Sequence, residues 1–217
     1  DTKSNKSGGS CPNLQQHSNR IRMSRQATIT RKTTETDIRL DLKIDGSGNC
    51  ETSTGIGFFD HMLTALARHG QLDLKVDCSG DLDVDAHHTV EDVGICLGQA
   101  FDEALGDKAG ITRFASAYVT MDEALARAAV DFSGRPYLFI DAAFDEEMIG
   151  AFPSALTEEF LRSLSDHARI NLHIDLIRGS NAHHSVEAIF KAAARAIRTA
   201  VAPDPGVKDI PSTKGVL

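Results

Sequence analysis

Two histidine pairs, each followed by a glutamate, carry the chemical potential of this sequence. Ala86-His87-His88-Thr89-Val90-Glu91 recurs as Ala182-His183-His184-Ser185-Val186-Glu187, and the copies differ only at Thr89 and Ser185. Imidazole and carboxylate together suit Mn, Fe, Ni or Zn, and the ligand types alone do not choose among them. At a helix start the second His and the Glu stand at i and i+3 and share a face. The first His lies about 100° around the axis, or just outside the helix. One ion can hardly take both adjacent histidines together with the Glu, so each pair is expected to serve two ions. Pairing across the copies gives His88, Glu91 and His183 for one ion, and His184, Glu187 and His87 for the other. A further ligand comes from spacing: His61 stands eight residues before His69, and eight before His167 stands Glu159. His61 is therefore assigned to the first ion and Glu159 to the second. Asp85 is expected to orient an imidazole. A single HxxE on a helix is ordinarily a surface pair; two copies with matching extra ligands point to metal. His17 reads as inert, and His173, inside a strand pattern, reads as structural as readily as functional.

The elements that must position these residues are duplicated too. After the first copy apolar residues fall at Val90, Val93, Leu97, Phe101 and Leu105, and after the second at Val186, Ile189, Ala193, Ile197 and Val201. Both ladders are helical. Upstream, the segment His69–Asp77 lines up with His167–Asp175. A period of about a hundred residues is too long for a solenoid, so the chain reads as one domain of two similar halves, 23–110 and 111–217. The first half predicts a hairpin over Ala27–Ile44, a turn at Asp45–Asn49, a helix Phe58–Arg68 stopped by Gly70, strands Leu72–Val76 and Leu82–Val84, and a helix 88–105. The second predicts strands at Ala115–Met121, Ala126–Phe132 and Pro136–Ala143, then a helix Glu158–Ser165 capped by Thr157. A strand Ile170–Ile177 and a helix His184–Ala202 complete it. Sheets with helices on one face make the fold class α+β. Residues 1–22 are polar and aperiodic and read as a disordered lead-in or tag remnant. The chain opens on Asp1, so an upstream portion is expected, with Met23 a plausible start of the folded unit.

Composition narrows the partners. The 217 residues are 41% hydrophobic and 25% charged, as in an ordinary globular protein, and the net charge of −8 argues against nucleic acid. No apolar run approaches a membrane span. The four cysteines are scattered without a CxxC pair, which fits a reducing, cytoplasmic setting.

The segment Gly55-Ile56-Gly57-Phe58-Phe59-Asp60-His61-Met62-Leu63, the stretch Asp83–Asp92, Arg135 in DFSGRPYL and the second AHHSVEA resemble the imidazoleglycerol-phosphate dehydratase family. The resemblance runs from about residue 24 to the C-terminus. It implies a histidine-biosynthesis enzyme that converts D-erythro-imidazole-glycerol phosphate to imidazole-acetol phosphate and water. It further implies Mn(II) as cofactor, two ions per active site, and self-association into a 24-subunit shell with active sites between subunits. It places the two mixed metal sites as paired above. Many relatives carry His where this chain has Glu159, though Glu also occurs.

A deprotonated imidazole can bridge two ions, and coordination lowers the pKa of a bound group. With such ions bound, electron density in the substrate's ring could push out the neighbouring hydroxyl. By resemblance Glu35, in Thr33-Thr34-Glu35-Thr36, is the base that takes the carbon-bound proton, and His69 lies near the substrate. His61, His87, His88, Glu91 and His183 also contact substrate on this reading. Arg113 and Arg135 match phosphate-contacting positions, and guanidinium grips phosphate through a bidentate fork. Ser212, Thr213 and Lys214 complete the cradle by resemblance, in a tail whose Pro and Gly content suits a closing lid. Two rivals use the same ligands: a binuclear metallohydrolase with a metal-bound hydroxide, and a metal-storage assembly. The hydrolase would act on generic phosphate esters and needs no imidazole site, and the storage assembly has no use for Glu35, Arg113, Arg135 and Lys214.

Overall fold

A computed structural model describes residues 24–217. The lead-in, Cys11, His17 and Met23 lie outside the described residues. Strand β1 (Gln26–Lys32) turns back into β2 (Thr36–Lys43), and β3 (Cys50–Ser53) leads to helix α1 (Gly57–Gly70); β4 (Asp73–Gly80) and α2 (His87–Leu105) follow. The second half runs β5 (Phe114–Met121), β6 (Ala124–Asp131), β7 (Tyr137–Asp141), β8 (Met148–Ile149), β9 (Phe152–Pro153), α3 (Leu156–Ala168), β10 (Asn171–Arg178) and α4 (Ala182–Ala200). The sheets have the orders β1-β2-β4-β3 and β5-β6-β10-β7, with β3 and β7 each parallel to the last strand of their half. The halves therefore share one topology, and the duplicated α+β design stands. Among the described residues the short β8–β9 hairpin has no counterpart in the first half.

Alternation explains the layers. Ile38, Leu40 and Leu42 of β2 are buried while Asp37, Arg39 and Lys43 face out, and Ala124, Ala126, Ala128 and Val130 of β6 repeat the pattern. Each sheet covers its helices, and the helices of one half pack on those of the other, α1 on α4 and α2 on α3. The order through the molecule is sheet, helices, helices, sheet. At the α2–α3 seam Gly94 and Gly98 stand one turn apart. A Cβ on Gly94 would lie 2.9 Å from the Phe160 carbonyl oxygen, and one on Gly98 2.8 Å from that of Leu164. The two backbones meet there because no side chain stands between them. Aromatic rings fill the rest: Phe160 stacks on Phe190 at 5.2 Å and takes the edge of Phe59 at 5.4 Å.

Several boundaries differ from the sequence expectation. The strand expected at Leu82–Val84 is a turn, closed by the Val84 N–H donating to the Asp81 carbonyl at 2.8 Å. Two apolar residues among Asp81, Asp83 and Asp85 are too few to hold a strand, and both are exposed. Thr157 is not a cap. Helix α3 starts at Leu156 after Ala155, and Thr157 is buried inside it. Helix α4 starts two residues earlier than expected, because the Asn181 carboxamide oxygen accepts the His184 N–H at 3.0 Å. Among the described residues no helix is long and apolar enough to cross a membrane, and Cys50, Cys78 and Cys96 are free.

Candidate metal centres and substrate groups

Helix α1 brings His61 to the start of α4, where Glu187 lies one turn below His183. His61 Nε2 is 3.3 Å and His183 Nε2 3.2 Å from the same oxygen, Oε2 of Glu187. The three candidate ligand atoms lie within 4.8 Å of one another, close enough to converge on one divalent cation at bonds of about 2.1 Å. Phe58 braces the group, its ring 5.0 Å from that of His183 and 6.3 Å from that of His61. Lys191, the next turn of α4, holds Oε1 of Glu187 at 2.5 Å. Burial opposes ionisation of Glu187, but Lys191 and His61 outweigh it and keep the carboxyl below its usual range.

This grouping departs from the expected allocation, which put Glu187 with His184 and Glu91 with His88. In both copies the Glu sits with the first histidine at i+4: His183 with Glu187, and His87 Nε2 with Glu91 Oε2 at 3.9 Å. Positions i+3 and i+4 share a face equally, so spacing alone could not decide. The second histidine is drawn elsewhere. His88 Nδ1 lies 3.0 Å from Asp81, and His184 Nδ1 lies 2.8 Å from Glu123. Hydrogen bonding to Asp81 raises the pKa of His88, and Glu123 does the same for His184. In turn His184 and the amides of Asn181 and Ser180 hold Glu123 down to about 2. With Nδ1 so engaged, Nε2 is the nitrogen left for a metal.

Asp85 does not orient an imidazole. Its carboxylate accepts the His87 backbone N–H at 2.7 Å, satisfying an amide of the first turn. Asp81 and Glu123 take that role, and the sequence held only weak signals for them. Asp81 is one more acid before the first HH, while Glu123 sits in the β5–β6 turn, the place that Glu35 holds near the β1–β2 turn. Replacing Asp81 by Asn is expected to weaken metal binding about 10- to 100-fold with the fold intact. Isothermal titration of metal-stripped protein measures it, and unchanged affinity would assign Asp81 to the turn alone.

Glu35 reaches the first pair, with Oε1 3.8 Å from His88 Nε2. His69 stands at the end of α1, where burial together with Lys191 and Arg195 keeps its pKa below the usual value. Glu159, on the first turn of α3, is partly exposed and lies outside the cluster of His61, His183 and Glu187. Among the described residues no hydrogen bond, ion pair or ring contact joins the first histidine pair to the second.

The phosphate candidates gather at another corner. Arg113 grips Asp131 through Nε at 2.7 Å and a terminal nitrogen at 3.2 Å, and its other terminal nitrogen donates to the Pro211 carbonyl at 2.7 Å. It thus anchors the tail just before Ser212. The chain end packs on the loop beside Arg135, where a Cβ on Gly134 would lie 2.3 Å from the Leu217 carbonyl carbon. Lys214 and Thr213 are exposed, and the Ser212 hydroxyl accepts the Lys214 N–H at 3.2 Å. Arg135 is exposed, and among the described residues its guanidinium has no ion-pair partner.

Fold and site together define a duplicated α+β protein with imidazole–carboxylate centres at the starts of matching helices. The family model "Imidazoleglycerol-phosphate dehydratase" matches residues 54–197. The imidazoleglycerol-phosphate dehydratase of Salinibacter ruber is 56% identical over 89% of this chain and 96% of its own. That of Acidiphilium cryptum is 59% identical over 90% of this chain and all of its own length. The crystal structure of the Staphylococcus aureus enzyme superposes with a TM-score of 0.76 at 40% identity, covering 82% of this chain and 99% of that one. The chain belongs to the imidazoleglycerol-phosphate dehydratase family and is a hydro-lyase.

Proposed function

We propose that this chain dehydrates D-erythro-imidazole-glycerol phosphate to imidazole-acetol phosphate, in histidine biosynthesis in the cytoplasm, with two Mn(II) ions per active site. The observation that carries the metal part is the convergence of His61, His183 and Glu187 on one point. Each histidine pair splits in direction, the rings lying at 86° in the first and 82° in the second. The reading therefore keeps two ions and exchanges the glutamates: His61, His183 and Glu187 with His88, and His87 and Glu91 with His184 and Glu159. When bound, the ions supply the positive charge that lowers the pKa of the substrate's imidazole.

The protein's own groups do the rest. Glu35 accepts the proton from the carbon that becomes the enol, and it is half exposed and free to reach it. Arg135 and Lys214 meet the phosphate, while Arg113 fixes the tail that carries Ser212, Thr213 and Lys214. Self-association completes the site, because within one chain the two histidine pairs lie in separate groups. A sheet face suited to association is present: Phe114, Tyr118, Tyr137 and Phe139 are exposed on the outer side of the second sheet, with His173 5.8 and 5.7 Å from the last two rings. The 24-subunit shell is the assembly this reading adopts. Free thiols at Cys50, Cys78 and Cys96 suit a reducing compartment.

Stripping the protein with a chelator and restoring Mn(II) while following turnover and bound metal tests the reading. Recovery at about two ions per chain supports it. Metal uptake without turnover of imidazole-glycerol phosphate would overturn it.

A further inference from the structure

One buried charge near the first centre has no counterpart at the second. Asp92 follows Glu91 on α2 and is buried, whereas the residue after Glu187 on α4 is Ala188. Its carboxylate accepts the Thr36 hydroxyl and lies 2.9 Å from Arg31 Nε, an ion pair without a well-aligned N–H···O bond. Arg31 and Thr36 stand on the two arms of the β1–β2 hairpin, and between them the chain carries Glu35. Within that connection the Thr33 hydroxyl accepts the backbone N–H of Glu35 at 3.1 Å and of Thr36 at 3.0 Å. The Glu35 carbonyl accepts the Asp81 N–H at 3.0 Å, and the Asp81 carboxylate holds His88.

The β5–β6 hairpin lacks this clamp. Met121 pairs directly with Ala124 across a shorter turn, and the residue matching Thr36 is Ala124. An alanine on the facing helix suffices there. A buried carboxylate costs several kcal/mol unless it is paired and hydrogen-bonded, so packing alone does not account for Asp92. The buried carboxylate stands where the longer β1–β2 connection, which carries Glu35, meets α2.

We propose that Asp92 is a positioning residue: through Thr36 and Arg31 it clamps the hairpin connection against α2 and so fixes Glu35 relative to His88. The inference rests on the reading of Glu35 as the base. In the Mn(II)-loaded protein, Asp92→Asn is expected to lower kcat about 10- to 100-fold, with KM and bound metal unchanged. In metal-free protein the same change is expected to speed amide exchange at residues 33–36 and leave α2 protected. Thr36→Val should lower kcat in the same way and Thr36→Ser should restore it, which keeps the test open if Asp92→Asn folds poorly.

Wild-type kcat in both Asp92→Asn and Thr36→Val would overturn the inference while leaving the functional reading standing. A loss of melting temperature with kcat and amide exchange at 33–36 unchanged would reduce Asp92 to a packing residue and overturn it equally. A wild-type protein that fails to turn over imidazole-glycerol phosphate would sink the functional reading, and this inference with it.

Discussion

Glu187→Gln is expected to lose one of the two ions per chain proposed above and at least about a thousandfold in turnover. Glutamine matches the size of glutamate, so the rings of His61, His183 and Phe58 keep their packing. What goes is the single negative charge on which both imidazoles and Lys191 converge. Lys191 is then left largely buried without its counter-charge, and breaking such a pair costs about 3 kcal/mol or more. Three readings should move together: metal per chain by elemental analysis, turnover, and the midpoint of denaturant unfolding. A variant that keeps both ions would show that His61, His183 and Glu187 are not a metal centre, whatever its activity.

Glu35→Gln should behave in the opposite way. Its carboxylate is half exposed, lies 3.8 Å from His88 Nε2 and belongs to no buried pair, so stability and metal content are expected to stay as in the wild type. Turnover should fall about 10²- to 10⁴-fold, the usual size of a lost general base. The loss should appear in kcat, because on the proposed reading the group takes a proton and does not hold the phosphate. Steady-state kinetics at saturating Mn(II) make the comparison. An equal rise in KM with kcat preserved would make Glu35 a binding group and move the search for the base to His69.

The contrast between these residues also marks what the sequence could reveal. The HHxxE repeat, the shared helical ladder and the strand alternation come straight from side-chain period, and the two halves follow from them. Strand β3, with the sequence CETS, has no apolar alternation and is held by parallel pairing to β4. Nothing local announces such an edge strand. The partner of each glutamate was equally hidden, since i+3 and i+4 neighbours share a face and only the pull of Asp81 and Glu123 on the second histidines separates them. Glu123 is 61 residues from His184, and only the folded hairpin brings it there. Lys191 was more accessible: it stands four residues after Glu187, where a helix places an ion-pair partner.

The crossed helix packing bears on how such a chain arose. Helices α1 and α2 are covered by α4 and α3, so a lone half would expose to water the apolar faces that the other half now hides. The surface that fits those faces belongs to a unit of the same topology. A half-length ancestor would have met this need by pairing with itself, and joining the two genes end to end would then have preserved an existing interface. Fusion would also have released each copy from identity: Gly94 stands where the second half has Phe190, and Asp92 where it has Ala188.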